Sequence, residues 1–155
     1  MKILVVGSGA REHTLCWKIA QSKKVDKIYC SPGNAGIAQV AECIDIKAED
    51  VEKIADFAEQ EKIDITVIGP EAPLVEGLSD LLKEKGLKAF GPVKKGAILE
   101  GSKAYSKDFM NKYKVPTAKY ETYTNPEKAL EGLEQFDIPV VVKADGLAAG
   151  KGVLI

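Results

Sequence analysis

The sequence predicts an α/β protein, a parallel sheet with helices on both faces, followed by a second and smaller region. Short apolar runs alternate with helix-period segments through the first hundred residues. The strand-like runs ending near Gly7, Gly33, Gly69 and Gly91 each close on a glycine, the signature of a strand handing over to a tight turn. The composition agrees: 45% hydrophobic and 29% charged residues over 155 positions suffice for one good core and part of a second.

Taken in order, Ile3-Leu4-Val5-Val6 is a buried strand closed by Gly7-Ser8-Gly9, and Leu15, Cys16 and Ile19 then share one helical face. Lys27-Ile28-Tyr29-Cys30 forms the next strand, ended by the loop signal Ser31-Pro32-Gly33-Asn34-Ala35-Gly36. Cys43-Ile44-Asp45-Ile46 reads as a short strand. Val51, Ile54, Ala55 and Ala58 recur at i, i+3, i+4 and i+7, a helix stripe. Asp64 to Ile68 is a buried strand stopped by Gly69-Pro70. Leu74, Val75, Leu78, Leu81 and Leu82 mark a single helix that Gly86 terminates, and Lys88-Ala89-Phe90 is a last short strand before Gly91-Pro92.

The rhythm then changes. Residues 93–100 read as a short helix, and Ser102 to Tyr113 as a longer one with Tyr105, Phe109 and Met110 as contacts. Val115-Pro116 breaks it, Tyr120 to Tyr123 is expected as a strand, and Asn125-Pro126-Glu127 has the chemistry of a helix start. Leu130 and Leu133 are expected to anchor that helix. A buried-looking strand over Val140-Val141-Val142-Lys143 runs into a glycine-rich loop, and Val153-Leu154-Ile155 forms a second strand. The change of pattern near residues 92–102 divides the chain into domains at 1–101 and 102–155.

A net charge of −1 with interspersed signs gives no electrostatic footprint for nucleic acid or an anionic membrane. No stretch is apolar enough to span a bilayer, and the N-terminus lacks a signal pattern, so a cytoplasmic protein is expected. The three cysteines, Cys16, Cys30 and Cys43, fit no metal spacing and sit in apolar stretches, as reduced buried thiols do.

The chemistry gathers at the strand ends. In open parallel sheets ligands bind beyond the carboxyl ends of strands, where glycine lets backbone N–H groups approach an anion. Gly7, Gly9, Gly33, Gly36, Gly69 and Gly91 either make separate tight turns or share one site for a phosphorylated small molecule. Gly7-Ser8-Gly9-Ala10-Arg11-Glu12 fails the dinucleotide fingerprint, because its third glycine is Glu12, and the second strand ends without a ribose-binding acid. Arg11 beside that turn can pair bidentately with a phosphate. His13, the one histidine, is either a helix-surface residue or a ligand contact. Glu71 at the lip of the same edge either accepts hydrogen bonds from hydroxyls or an amine, or supports a helix dipole. The C-terminal loop is no Walker A motif, since Gly146 to Lys151 is too short and Gly152 replaces the Ser/Thr. Its strand–loop–strand setting suits a hairpin cover over a nucleoside triphosphate, with Lys143 meeting the phosphates as a point charge.

Together, Gly7-Ser8-Gly9-Ala10-Arg11-Glu12-His13, Pro32-Gly33-Asn34-Ala35-Gly36, Gly69-Pro70-Glu71-Ala72-Pro73-Leu74, Phe90-Gly91-Pro92, Leu99-Glu100-Gly101-Ser102-Lys103 and Lys143-Ala144-Asp145-Gly146-Leu147-Ala148-Ala149-Gly150-Lys151-Gly152 resemble the phosphoribosylamine–glycine ligase family of ATP-grasp enzymes. The resemblance runs in order through the whole chain; Ala10 departs from it, standing where the family has a further glycine. It implies a Rossmann-like pre-ATP-grasp domain followed by the start of an ATP-grasp domain. It also implies ATP-dependent joining of glycine to 5-phosphoribosylamine, with Mg²⁺. Lys103, Lys143, Gly146, Gly150, Lys151 and Gly152 would then serve ATP. Gly7, Gly9, Arg11, Pro32, Gly33, Asn34, Gly36, Gly69, Pro70 and Glu71 would hold phosphoribosylamine. No metal ligand and no complete catalytic set is expected within residues 1–155; both are expected beyond Ile155, so this stretch alone is expected to lack turnover. Self-association through exposed edges at Val140–Val142 and Val153–Ile155 is a further expectation. The alternatives are a non-catalytic sugar-phosphate-binding module and another ATP-grasp carboxylate–amine ligase or carboxylase.

Overall fold

A computed structural model describes residues 1–148 and 150–155; of the glycine-loop motif, only Ala149 lies outside the described residues. The chain divides into two compact units, Met1–Ala97 and Ile98–Ile155.

The first unit is built on five parallel strands: β1 (Lys2–Gly7), β2 (Lys27–Pro32), β3 (Glu42–Cys43), β4 (Ile65–Ile68) and β5 (Ala89–Phe90). Their order is β3-β2-β1-β4-β5, all pairings parallel. The side-chain period of two sends alternate residues of β1 to opposite faces, and both faces are covered. Leu4 and Val6 join Ile54, Ala55 and Ala58 of α2 (Val51–Gln60) and Leu78 and Leu82 of α4 (Leu78–Glu84) in one core. Ile3 and Val5 join Ile28, Cys30, Ile37 of a 3₁₀ turn and Cys16 of α1 (Ala10–Ile19) in the other. Leu4, Val5 and Val6 are fully buried, as expected of a central strand. Burying a side chain such as Leu82 contributes about 1.5–3 kcal/mol.

The single helix expected over Leu74–Leu82 is two. α3 (Glu71–Glu76) ends at Gly77, whose φ of 102° is left-handed, and α4 starts at once from that residue. Both helices still place Leu74, Leu78 and Leu82 in the same core, so the apolar period survives a turn that it does not reveal. The strand expected over residues 43–46 is only Glu42–Cys43, paired with β2, and Ile44 and Ile46 instead pack against the first core from irregular backbone.

The division between the units falls within α5 (Lys94–Gly101). The second unit then holds α6 (Lys103–Lys112), α7 (Pro126–Leu133), and two short strands, β6 (Val142–Lys143) and β7 (Val153–Leu154), paired antiparallel. Asn125 opens α7, its side-chain oxygen accepting from the Lys128 N–H at 3.0 Å ahead of Pro126, as the sequence predicts.

Several expectations for this region fail. Tyr120 to Tyr123 is not a strand. Side chains fix that segment: the Tyr120 hydroxyl donates to Asp108 at 2.8 Å, and Tyr123 fills the space over Gly132. Leu130 and Leu133 do not anchor α7; they are 67% and 38% exposed, and the buried position of that helix is Gly132 beneath Tyr123. The strand expected over 140–143 is two residues long, and Val141 and Val142 are exposed. No helix among the described residues is long and apolar enough to cross a membrane.

Candidate functional site

Parallel register brings the strand ends of the first unit to one level. Gly7 lies opposite Pro32, and Val6 lies opposite Ile68, so Gly69 follows beside Gly7. Backbone bonds fix the exits: the Gly33 N–H donates to the Gly7 carbonyl at 3.1 Å, and the Gly69 N–H to that of Val6 at 3.0 Å. The chain leaves β1 toward β2 and β3, then returns to the other side of β1 with β4 and β5. The switch point of the sheet therefore lies between β1 and β4, where open α/β sheets bind ligands.

Glu12 fills that point. It is 3% exposed, one of four buried polar side chains described in the chain. Its Oε2 accepts from the Gly9 N–H at 2.8 Å, and its Oε1 from the Arg11 Nε–H at 2.7 Å. Gly9 is the N-cap of α1 and Glu12 its third residue, so the carboxylate makes the reciprocal half of a capping box in which glycine has no side chain to return the bond. A Cβ on Gly7 would meet the Glu12 side chain at 2.6 Å, and a Cβ on Gly69 would overlap its carboxylate. The glycines at the ends of β1 and β4 thus make room for this one side chain. In the dinucleotide fingerprint Glu12 is only a missing third glycine; the Gly-x-x-Glu spacing of a capping box is the sequence signal that points to its role.

The loop after β2 closes over the same edge. Asn34 Nδ2–H donates to the Ser8 carbonyl at 2.8 Å, while its Oδ1 accepts from the Ile37 N–H at 2.9 Å, tying the first turn to the 3₁₀ turn. His13 packs against Gly36, where a Cβ would approach its Cε1 to 2.8 Å. Pro70 is the N-cap of α3 and Glu71 its exposed first residue. Gly7, Gly9, Arg11, Pro32, Gly33, Asn34, Gly36, Gly69, Pro70 and Glu71 therefore stand on the β1, β2 and β4 exits of one sheet edge. A separate cavity of about 420 Å³, lined by Val25, Lys27, Ile28, Val40 and Glu42 among others, includes none of them.

Cys16 and Cys30 are buried and Cys43 is half-buried, all free thiols. Hydrogen bonding with Cys16, and then burial, push the Cys30 thiol up from its usual range, so it stays protonated and unreactive.

In the second unit β6 and β7 bracket the glycine loop, and the Ala144 N–H donates to the Gly152 carbonyl at 2.8 Å. Gly146 and Gly150 adopt φ of 82° and 76° with open space around them. Gly152 is different: a Cβ there would meet those of Ala148 and Ala144 at 2.9 and 3.0 Å. Lys143 and Lys151 are exposed. Asp145 ties the loop to the start of α6, accepting from the Lys103 N–H at 2.7 Å, the Ala104 N–H at 3.2 Å and the Ser102 hydroxyl at 3.0 Å. The Ala104 N–H foremost, with the Gly146 N–H and the Ser102 hydroxyl, holds the Asp145 carboxyl below the usual carboxylate range. Lys103 Nζ donates to the Gly146 carbonyl at 2.6 Å. Asp145 and Ser102 thus join Lys103 and Gly146 in one cluster, a connection over more than forty positions that no local pattern carries.

The family model described as phosphoribosylglycinamide synthetase, N domain, matches residues 1–100, and that of the ATP-grasp (A) domain matches residues 101–155. The chain belongs to the phosphoribosylglycinamide synthetase family. It is 57% identical over 155 residues to the phosphoribosylamine–glycine ligase of Clostridium acetobutylicum, covering all of this chain and 37% of that relative. The Escherichia coli K12 ligase is 51% identical over 157 residues, again with 37% of its length covered. The crystal structure of the Thermotoga maritima phosphoribosylamine–glycine ligase matches with a TM-score of 0.77 at 35% identity, over 99% of this chain and 35% of that one. The chain thus spans little more than a third of the length of the relatives it matches.

The N-domain match of the synthetase family covers the Gly7–Glu12, Pro32–Gly36 and Gly69–Glu71 motifs, and the A-domain match covers Lys103, Lys143 and the glycine loop. Among the described residues, no group of three or more His, Cys, Asp or Glu is placed to hold a metal ion.

Proposed function

We propose that this chain carries the phosphoribosylamine-binding edge and the start of the ATP-phosphate cover of a cytoplasmic ligase in purine synthesis. In that reaction the terminal phosphoryl group of ATP passes to a glycine carboxylate oxygen, releasing ADP and forming glycyl phosphate. The amine nitrogen of 5-phosphoribosylamine then attacks the acyl carbon. The carbon–oxygen bond to phosphate breaks, the nitrogen loses a proton, and glycinamide ribonucleotide forms.

The observation that carries the reading is the convergence of Gly7–Arg11, Pro32–Gly36 and Gly69–Glu71 on one sheet edge within a family of glycinamide ribonucleotide synthetases. The edge is built to bind and orient, holding a small polar ligand against fixed backbone; such positioning is a large share of what phosphoryl- and acyl-transfer enzymes supply. Lys143 and Lys151, exposed beside loop glycines with open space around them, suit close approach of triphosphate oxygens. Mg²⁺ would supply charge neutralisation on the phosphates. The described residues do not present a ligand group that fits it.

Thermal unfolding with ribose 5-phosphate, Mg-ATP and NADH in parallel tests this function. A ligand at 100 times its Kd adds about 2.7 kcal/mol, a shift on the order of several degrees for a domain of this size. Stabilisation by ribose 5-phosphate is expected. Stabilisation by NADH alone would overturn the ligase reading in favour of a dinucleotide-binding one.

A further inference from the structure

We propose that Glu12 is a built-in anion at the sheet switch point: its carboxylate occupies the place where a ligand phosphate would otherwise sit, and so turns the phosphate of a sugar phosphate outward to Arg11. The orientation of the ligand rests on the function proposed above; the exclusion of phosphate from the switch point does not.

In a dinucleotide-binding turn the backbone N–H groups at the helix start hold the pyrophosphate, and the third glycine lets helix and strand close up. Here the third glycine is replaced by Glu12, and the structure shows what the replacement does. The carboxylate takes the Gly9 N–H for itself at 2.8 Å, so that donor is not offered to a ligand. It brings a negative charge, almost wholly buried, to the β1–β4 crevice and the positive end of α1. A phosphate placed there would meet a like charge under little water, where Coulomb repulsion is far stronger than in solvent. Gly7 and Gly69, which in an open cradle would admit a phosphate, are closed by the Glu12 side chain itself.

The same carboxylate aims Arg11. The guanidinium is spent on Glu12 through Nε only, and the Arg11 side chain is 58% exposed. Among the described residues the terminal nitrogens of the fork make no hydrogen bond, which leaves them for the parallel bonds that a phosphate or carboxylate accepts. What reaches inward past Arg11 toward Gly69 and Glu71 must be the neutral or donating part of the ligand, its hydroxyls or amine. Glu12 is a positioning and specificity-determining residue in this account, and Arg11 is the phosphate contact.

Calorimetry of wild type, Arg11→Gln, Glu12→Gln and Glu12→Gly against ribose 5-phosphate, ribose and inorganic pyrophosphate tests this. Wild type is expected to prefer ribose 5-phosphate over ribose by about tenfold or more, as one charge-assisted pair supplies. Arg11→Gln should erase most of that preference. Glu12→Gly should gain pyrophosphate binding that wild type lacks, with the Gly9 amide resonance shifting on titration. Glu12→Gln keeps the shape and the Gly9 bond while losing the charge, and should gain pyrophosphate affinity to a lesser degree even if Glu12→Gly folds poorly. A purely structural Glu12 would change stability and leave anion selectivity where it was, which would overturn the proposal. So would a wild-type Gly9 amide that shifts strongly with phosphate. If wild type binds no ribose 5-phosphate, the sugar-phosphate function fails, and the pyrophosphate arm still decides whether Glu12 excludes anions.

Discussion

Glycines mark both motif-rich regions of this chain, and they do opposite work in the two. At the sheet edge of the first unit, Gly7 and Gly69 are small because the Glu12 side chain lies where their Cβ atoms would be. In the loop of the second unit, Gly146 and Gly150 have nothing near them and are glycine because their φ is left-handed. Gly69 answers packing, Gly7 answers packing together with its own φ of 128°, and Gly146 and Gly150 answer backbone conformation alone. In the function proposed above, the packed edge would orient one ligand and the open hairpin would cover another.

The contrast can be broken most forcefully at the cores beneath the two regions. Leu82 is fully buried under the sheet, and Leu82→Ala should cost about 2–5 kcal/mol in urea unfolding. Leu130→Ala, on an exposed position of α7, should stay within about 0.5 kcal/mol. Similar costs at the two sites would contradict the exposed placement of Leu130.

At the glycines themselves, Gly69→Ala should destabilise by about 1–3 kcal/mol through overpacking against Glu12. Adding Glu12→Ala should recover part of that loss, because the overlapping side chain is gone; strict additivity would contradict the packing account. Gly150→Ala should cost about 1 kcal/mol from its positive φ alone. Gly150→Asn should cost less than Gly150→Ala, since asparagine tolerates that conformation.

The smallest effect is electrostatic and lies at Asp145. Its folded carboxyl is held below the usual range, so the tie between loop and α6 is complete above the ordinary carboxylate value and is lost as pH falls through the lowered one. The amide shifts of Lys103 and Ala104 should titrate together with a midpoint below that of a free aspartate. Asp145→Asn should flatten both curves; an unshifted midpoint would mean that the tie is not formed in solution.

Much of the first unit was legible because its strands are apolar on both faces and its turns end in glycine, so that Ile3–Val6 and Ile65–Ile68 declare themselves. Gly77 was not, because one glycine inside an apolar stripe reads as a weak helix position until its φ is known. The second unit was less legible: Leu130, Leu133 and Val140–Val142 are apolar without being buried, so an apolar pattern there misleads. The shared edge of glycine-bearing strand ends, proposed above as the ligand site, could be assembled from the sequence because parallel strands bring their C-terminal ends together. Glu12 was missed for the same reason that it matters, since it stands where a familiar motif has nothing. Asp145 and Ser102 escaped because their pairing is tertiary.

A ¹H–¹⁵N titration of this chain with ribose 5-phosphate, mapping which amides move, locates the ligand on the fold. Shifts are expected on Ser8, residues 10–13, 32–36 and 69–71, with the Gly9 amide, held by Glu12, and residues 142–154 nearly still. Shifts confined to the glycine loop, or to the cavity around Val25 and Val40, would contradict a sugar-phosphate site at the sheet edge.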